Sequence, residues 1–163
     1  MPNQAEIAEK FWKAVKSDRT MMVGLTGVDD GLSQPMTAQL DEGRDEGPIY
    51  FFTARDTDLA QDMGARHRAT AHFADKGHHL FAAIDGELVA DSDRATIDRL
   101  WNPFVAAWFE GGNDDPKLQL LRFEPDRAQI WLNDHSLFAG VKLLLGKDPK
   151  ASYQDKTADI RLG

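Results

Sequence analysis

Cysteine is absent from the 163-residue chain. Its absence removes disulfides, thiol nucleophiles and Cys-ligated zinc or iron–sulfur centres together, and it fits a reducing compartment. Positive charge is scarce: 19 Lys and Arg stand against 27 Asp and Glu, a formal net charge of −8. A field of that sign repels phosphate, so neither nucleic acid nor an anionic membrane surface is expected as a partner. Long apolar runs are missing too. Val105–Phe109, one of the longest, is far too short to span a bilayer, and Met1–Lys16 mixes charged with apolar residues and lacks the continuous apolar region of a signal peptide. The expectation is a soluble, cytoplasmic protein.

Common catalytic signatures are lacking as well. There is no G-x-G-x-x-G, no H-E-x-x-H and no G-x-S-x-G. Gly140–Lys147 imitates a phosphate loop only loosely, since Asp148 stands where Ser or Thr should follow the lysine. The five histidines form no ligand set by spacing. His78 and His79 are neighbours that a strand would point to opposite faces, and His72 has no carboxylate at ligand spacing. No metal site is expected. The acidic pairs Asp29-Asp30, Asp91/Asp93 and Asp114-Asp115 suit turns and helix starts.

What is present is enough for one folded domain over 1–163, with a polar tail at 146–163. Hydrophobic residues make up 42% and charged residues 28%, a globular balance. Ile7, Ala8, Phe11, Trp12, Ala14 and Val15 recur at helical spacing, predicting an amphipathic helix over Gln4–Ser17. Thr20–Val28 and Gln34–Leu40 read as strands around the Asp-Gly turn at 30–31, and Pro48–Thr53 as a buried third strand. A helix is predicted over Asp56–Arg66, with Asp56 or Thr57 as its cap. Strands follow at Arg68–Ala74 and His79–Ala90, the second interrupted at Asp85-Gly86 by a hairpin tip or a bulge. A helix from Ser92-Asp93 is divided at Asn102-Pro103, because the residue before proline avoids the helical region. Two strands, Leu118–Phe123 and Ala128–Leu132, flank Pro125-Asp126, and a last helix is predicted over His135–Gly146. Strands and helices do not alternate regularly, so a parallel doubly wound sheet is excluded and an antiparallel barrel with peripheral helices is expected. Trp101, Phe104 and Trp108 fall at i, i+3 and i+7, one face of a helix, suited to packing, to a dimer contact or to stacking on a cofactor.

Several segments carry a more specific signal in combination. They are Ser33-Gln34-Pro35-Met36-Thr37-Ala38-Gln39, then Ile49–Leu59, then Leu100-Trp101-Asn102-Pro103 with Ala107–Gly112 and Asp115-Pro116, then Leu120–Pro125 with Gln129-Ile130-Trp131. Their order and spacing resemble the general stress protein 26 group of the pyridoxamine 5′-phosphate oxidase-like, FMN-binding split-barrel family, over about residues 5–146. The resemblance implies a mainly β fold with peripheral helices, a six-stranded antiparallel split β-barrel. It further implies a homodimer with FMN in a groove at the subunit interface, and a flavin-dependent oxidoreductase of unidentified substrate. The cofactor-binding positions it implies are Gln34, Pro35 and Met36; Phe51, Phe52 and Thr53; and Thr57, Asp58 and Leu59. Trp101, from the aromatic cluster, joins them as a candidate to stack on the cofactor. No catalytic residue is singled out.

Two of these positions depart from the family pattern. Gln34 stands where Arg is usual and Leu59 where Lys is usual, and both replaced groups are cations suited to a phosphate. Losing two charge-assisted hydrogen bonds costs on the order of 3 kcal/mol, about a hundredfold in affinity. Arg55, Arg66 and Arg68 are the nearest cations in sequence that could substitute. The departures motivate an alternative, a non-enzymatic stress or binding protein of the same fold with weak or lost FMN binding. Deazaflavin F420 and haem are further cofactor alternatives implied by the fold.

Overall fold

The computed structural model describes residues 3–28, 32–41, 43–133 and 157–162. The first helix, α1 (Gln4–Asp18), starts at a capping box, in which Asn3 and Glu6 each accept from the other's backbone N–H. Its apolar stripe, Ile7, Phe11, Trp12 and Val15, is buried against the sheet. Arg19 ends it in the left-handed region at φ 54°.

Seven strands follow among the described residues: β1 (Thr20–Leu25), β2 (Gln34–Thr37), β3 (Ile49–Ala54), β4 (Arg66–Ala74), β5 (Leu80–Asp91), β6 (Leu118–Leu132) and β7 (Thr157–Arg161). All pairings are antiparallel, in the order β2-β1-β4-β5-β6-β3, with β7 also on β6. The expected split-barrel architecture is therefore present, with one strand more than the six anticipated. The sheet is not closed by a ladder. Its two end strands meet only beyond β2, where Gln39 and Tyr50 form an isolated bridge. Short helices connect the strands: α2 (Asp58–Asp62), α3 (Arg94–Leu100) and α4 (Pro103–Ala106). Among the described residues no helix is long and apolar enough to cross a membrane.

The structure revises several local expectations. The helix predicted over Asp56–Arg66 shrinks to the five residues of α2, capped as expected by Thr57; Gly64 then takes φ 61° and β4 begins at Arg66. The interruption at Asp85-Gly86 is a bulge within one strand, marked by a register shift against β6. Pro125-Asp126 does not separate two strands, because β6 runs unbroken for 15 residues. Proline lacks a ladder donor, and it falls where the pairing changes. One edge of β6 stays with β5, while the other is shared between β3, opposite Leu118–Phe123, and β7, opposite Arg127–Trp131. The seventh strand comes from the tail that the sequence left unpatterned. The helix predicted over His135–Gly146 and the Asp-Gly turn at 30–31 lie outside the described residues.

Strand alternation sorts the apolar side chains into two clusters. Ile49 and Phe51 of β3, with Leu121 and Phe123 of β6, enter the main core with the α1 stripe. Tyr50 of β3, with Leu118 and Leu120 of β6, faces outward and is covered by Ile97, Leu100, Val105 and Phe109 from the α3–α4 segment.

The bulge has no room for a side chain. A Cβ at Gly86 would lie 2.3 Å from the Glu124 carbonyl oxygen and 2.9 Å from the Phe123 ring. Gly86→Ala should therefore destabilise the protein by about 2 kcal/mol, within the usual range for overpacking, measured by denaturant unfolding. Unchanged stability would show that β5 and β6 can separate there without cost.

Candidate functional site

Two adjoining cavities open between the β2–β3 end of the sheet and the α3–α4 segment. The smaller, about 400 Å³, is lined by Thr20, by Gln34 to Thr37, by Gln39, by Phe52, Thr53, Ala54 and Thr57, and by Phe104, Val105, Trp108 and Phe109. Not one of these residues carries a charge. The larger, about 1540 Å³, shares Thr37, Gln39, Phe104 and Trp108 with it, and adds Arg19, Asp41, Arg99, Trp101 and Asn102 among others.

The smaller cleft brings together six of the positions expected to hold a cofactor: Gln34, Pro35, Met36, Phe52, Thr53 and Thr57. The other four are placed differently. Phe51 points into the main core and is fully buried. Leu59 is buried in that same core at 6% exposure. Asp58 is exposed in the first turn of α2. Trp101 lines the larger cavity and meets Phe52 edge-on, ring centroids 5.9 Å apart.

Thr53 and Thr57 supply the hydroxyls on the sheet side. The Thr57 hydroxyl donates to the Ala54 carbonyl at 3.0 Å and accepts from the Ala60 amide at 3.3 Å. Its single hydrogen is thereby committed, so across the 3.4 Å contact with Thr53 it can only accept. Thr53 is the donor of that pair, held 7% exposed at the wall of the cleft.

The aromatic wall depends on Asn102. Trp101, Phe104 and Trp108 do not share one helical face, because Trp101 and Asn102 have extended backbone between α3 and α4. Pro103 then occupies the first position of α4, where its missing N–H costs nothing. Asn102 caps α4 by accepting from the Phe104 amide at 3.0 Å and the Val105 amide at 3.1 Å. All three aromatic rings nonetheless border the larger cavity. Phe104 and Trp108 are 85% and 84% exposed, unusual for rings of that size.

The cations near the site are not those nearest in sequence. Arg55 donates to the Leu118 carbonyl, Arg66 pairs with Glu87 and Arg68 with Asp126. None of the three borders either cavity. Arg19 and Arg99 border the larger one, brought there from the ends of α1 and α3. Arg99 is neutralised by Asp41 through contacts of 2.8 and 3.4 Å. Arg19 anchors its Nε on the Lys16 carbonyl at 3.0 Å. Its terminal nitrogens have no partner among the described residues. Burial, reinforced by Asp41 and Asp91 against Arg99, pushes the Tyr50 phenol up, so it stays protonated at neutral pH and is no base. Gln39, Asn102, Arg19 and Arg99 are not among the site residues expected from the sequence. Gln39 and Asn102 fall within segments that carry the family resemblance, and the Asn-Pro pair also reads as a helix break; Arg19 and Arg99 carry no signal.

The sequence model of the pyridoxamine 5′-phosphate oxidase-like family matches residues 6–154. No curated protein matches. Solved structures do. A general stress family protein of Xanthomonas campestris pv. campestris is 56% identical, with a TM-score of 0.77, over 83% of this chain and 93% of that one. A general stress FMN/FAD binding protein from Xanthomonas citri is 56% identical, with a TM-score of 0.75, over 81% and 92%. A general stress protein 26 from Jannaschia sp. CCS1 is 30% identical, with a TM-score of 0.80, over 98% and 99%.

The burial of Leu59 sets a limit on restoring charge at that position. Leu59→Lys would place an ammonium without a carboxylate partner in the main core, and should cost roughly 3 kcal/mol or more, read by denaturant unfolding. Wild-type stability in that variant would mean that position 59 reaches the surface.

Proposed function

Since the chain belongs to the pyridoxamine 5′-phosphate oxidase-like family, we propose that it binds a flavin, FMN in first place, and acts as an oxidoreductase of the general stress protein 26 type. The observation that carries this reading is the uncharged cleft itself. It gathers Gln34, Pro35, Met36, Phe52, Thr53 and Thr57 on one side and Phe104, Trp108 and Phe109 on the other. Such a lining suits a planar heterocycle with polar edges: apolar and aromatic side chains cover its faces, while hydroxyls and amides meet its rim. A bound flavin supplies the electron-transfer chemistry. The chain's own residues bind and orient the ring and keep water from its faces. The similarity to an FMN/FAD binding protein from Xanthomonas citri supports the same reading.

The phosphate is less well served. Gln34 offers an amide where a guanidinium would be expected, Leu59 is committed to the core, and the Thr57 hydroxyl is spent on its cap. That favours one second reading, a stress or binding protein in which flavin binding has weakened. A fluorescence titration with FMN separates the two. The first reading expects saturable quenching at micromolar flavin or below. It fails if the protein ignores FMN, and fails in favour of another cofactor if F420 or haem alone raises the melting temperature. Gln34→Arg should tighten FMN binding about tenfold, the worth of one charge-assisted bond. Unchanged affinity would mean the phosphate does not sit beside β2.

We also propose a homodimer, in which a second copy covers Phe104 and Trp108. Two large rings more than four-fifths exposed beside an open cavity suit the apolar centre of such a contact. Trp108→Asp should shift the protein from dimer to monomer in light scattering. A monomeric wild type would contradict the proposal.

A further inference from the structure

Gln39 presents a hydrogen-bond donor to the seam between the two cavities, and Asn102 decides that it is a donor. Gln39 lines both cavities and is 7% exposed. Its backbone is fully used, since its amide donates to the Tyr50 carbonyl at 2.7 Å and its carbonyl accepts from the Tyr50 amide at 2.9 Å. The sense of its side chain follows from Asn102. The Asn102 Oδ1 is fixed on the Phe104 and Val105 amides, so its Nδ2 must face the other way. That Nδ2 donates to Gln39 Oε1 at 3.2 Å and to the Leu100 carbonyl at 3.1 Å. Gln39 Oε1 is therefore an acceptor already taken. Its Nε2 hydrogens have no partner among the described residues.

Among the described residues no enclosed side-chain nitrogen or oxygen lacks a partner, so this unpartnered N–H is open to the cavities that Gln39 lines rather than sealed inside the protein. We propose that Gln39 Nε2 binds an acceptor oxygen of a ligand at this seam, and that Asn102 is the positioning residue that sets the polarity of this contact. The oxygen is either a carbonyl of the flavin ring or a carbonyl or carboxylate of a second, planar ligand in the larger cavity. There Trp101, Phe104 and Trp108 provide faces, and Arg19 provides an unpaired guanidinium end. The first source rests on the flavin reading above; the second does not.

Two variants test the assignment. Asn102→Asp keeps an oxygen on the Phe104 and Val105 amides but turns the group facing Gln39 into an acceptor. The Gln39 amide must then turn over and present Oε1 to the seam. Gln39→Met removes the donor at similar volume and adds no charge. Each variant is titrated with FMN and with benzoate, the latter before and after flavin loading. Both variants should lose about tenfold in affinity for the same compound, the worth of one hydrogen bond. Loss on FMN places the acceptor on the flavin, and Asn102→Asp should then also shift the flavin absorption bands. Loss on benzoate places it on a second ligand. A loss confined to Asn102→Asp reports added charge and overturns the proposal. So do wild-type affinities in both variants, or a wild type that binds neither compound. A wild type that takes benzoate but no flavin counts against the flavin reading and leaves the benzoate titration to decide this one.

Discussion

The two ends of the open sheet are tied at Gln39. Its backbone makes the isolated bridge to Tyr50, and its side chain holds Asn102. Asn102 in turn starts α4 and so places Phe104 and Trp108. One buried residue thus joins β2, β3 and the α3–α4 segment, and the walls of both cavities are set by that junction. Buried polar links of this kind specify geometry because any other arrangement leaves a donor or acceptor unmet.

The division of β3 into two faces explains why a cleft exists there at all. Phe51 and Ile49 fill the main core, while Tyr50 and Phe52 face the α3–α4 segment. The segment covers Tyr50 and sets Trp101 edge-on against Phe52, and Phe52, Thr53 and Ala54 line an uncharged cleft opposite Phe104, Trp108 and Phe109. In an acidic chain this division has a consequence for any phosphorylated ligand. The ring region needs no charge, while the phosphate needs a cation that the cleft does not hold. Arg19, beyond the seam, is the guanidinium near it that no carboxylate among the described residues neutralises.

Much of this was legible in the sequence where the signal is local. The α1 stripe, the Thr57 cap, the buried strand Pro48–Thr53 and the break at Asn102-Pro103 follow from periodicity and cap chemistry. Of the positions that the family resemblance implied, Gln34 to Met36, Phe52, Thr53 and Thr57 line one cleft. What the sequence hid depends on pairing between distant segments. Pro125 reads as a strand end because its effect on β6 is visible only once β3 and β7 share an edge. β7 has too little apolar patterning to be seen alone, since Ile160 gains its burial from the sheet. Leu59 reads as a site residue by alignment with a lysine, but the short α2 turns it inward. Gln39 ends a segment that carries the family resemblance but is not read as a site residue, Arg19 and Arg99 belong to no motif, and only the tertiary fold brings the three together.

If the cleft beside Gln39 holds a flavin, native mass spectrometry and a visible absorption spectrum of freshly purified protein should show a dimer carrying one flavin mass per chain and absorption in the flavin bands. A colourless protein with no added mass, unchanged after incubation with excess FMN, would contradict it.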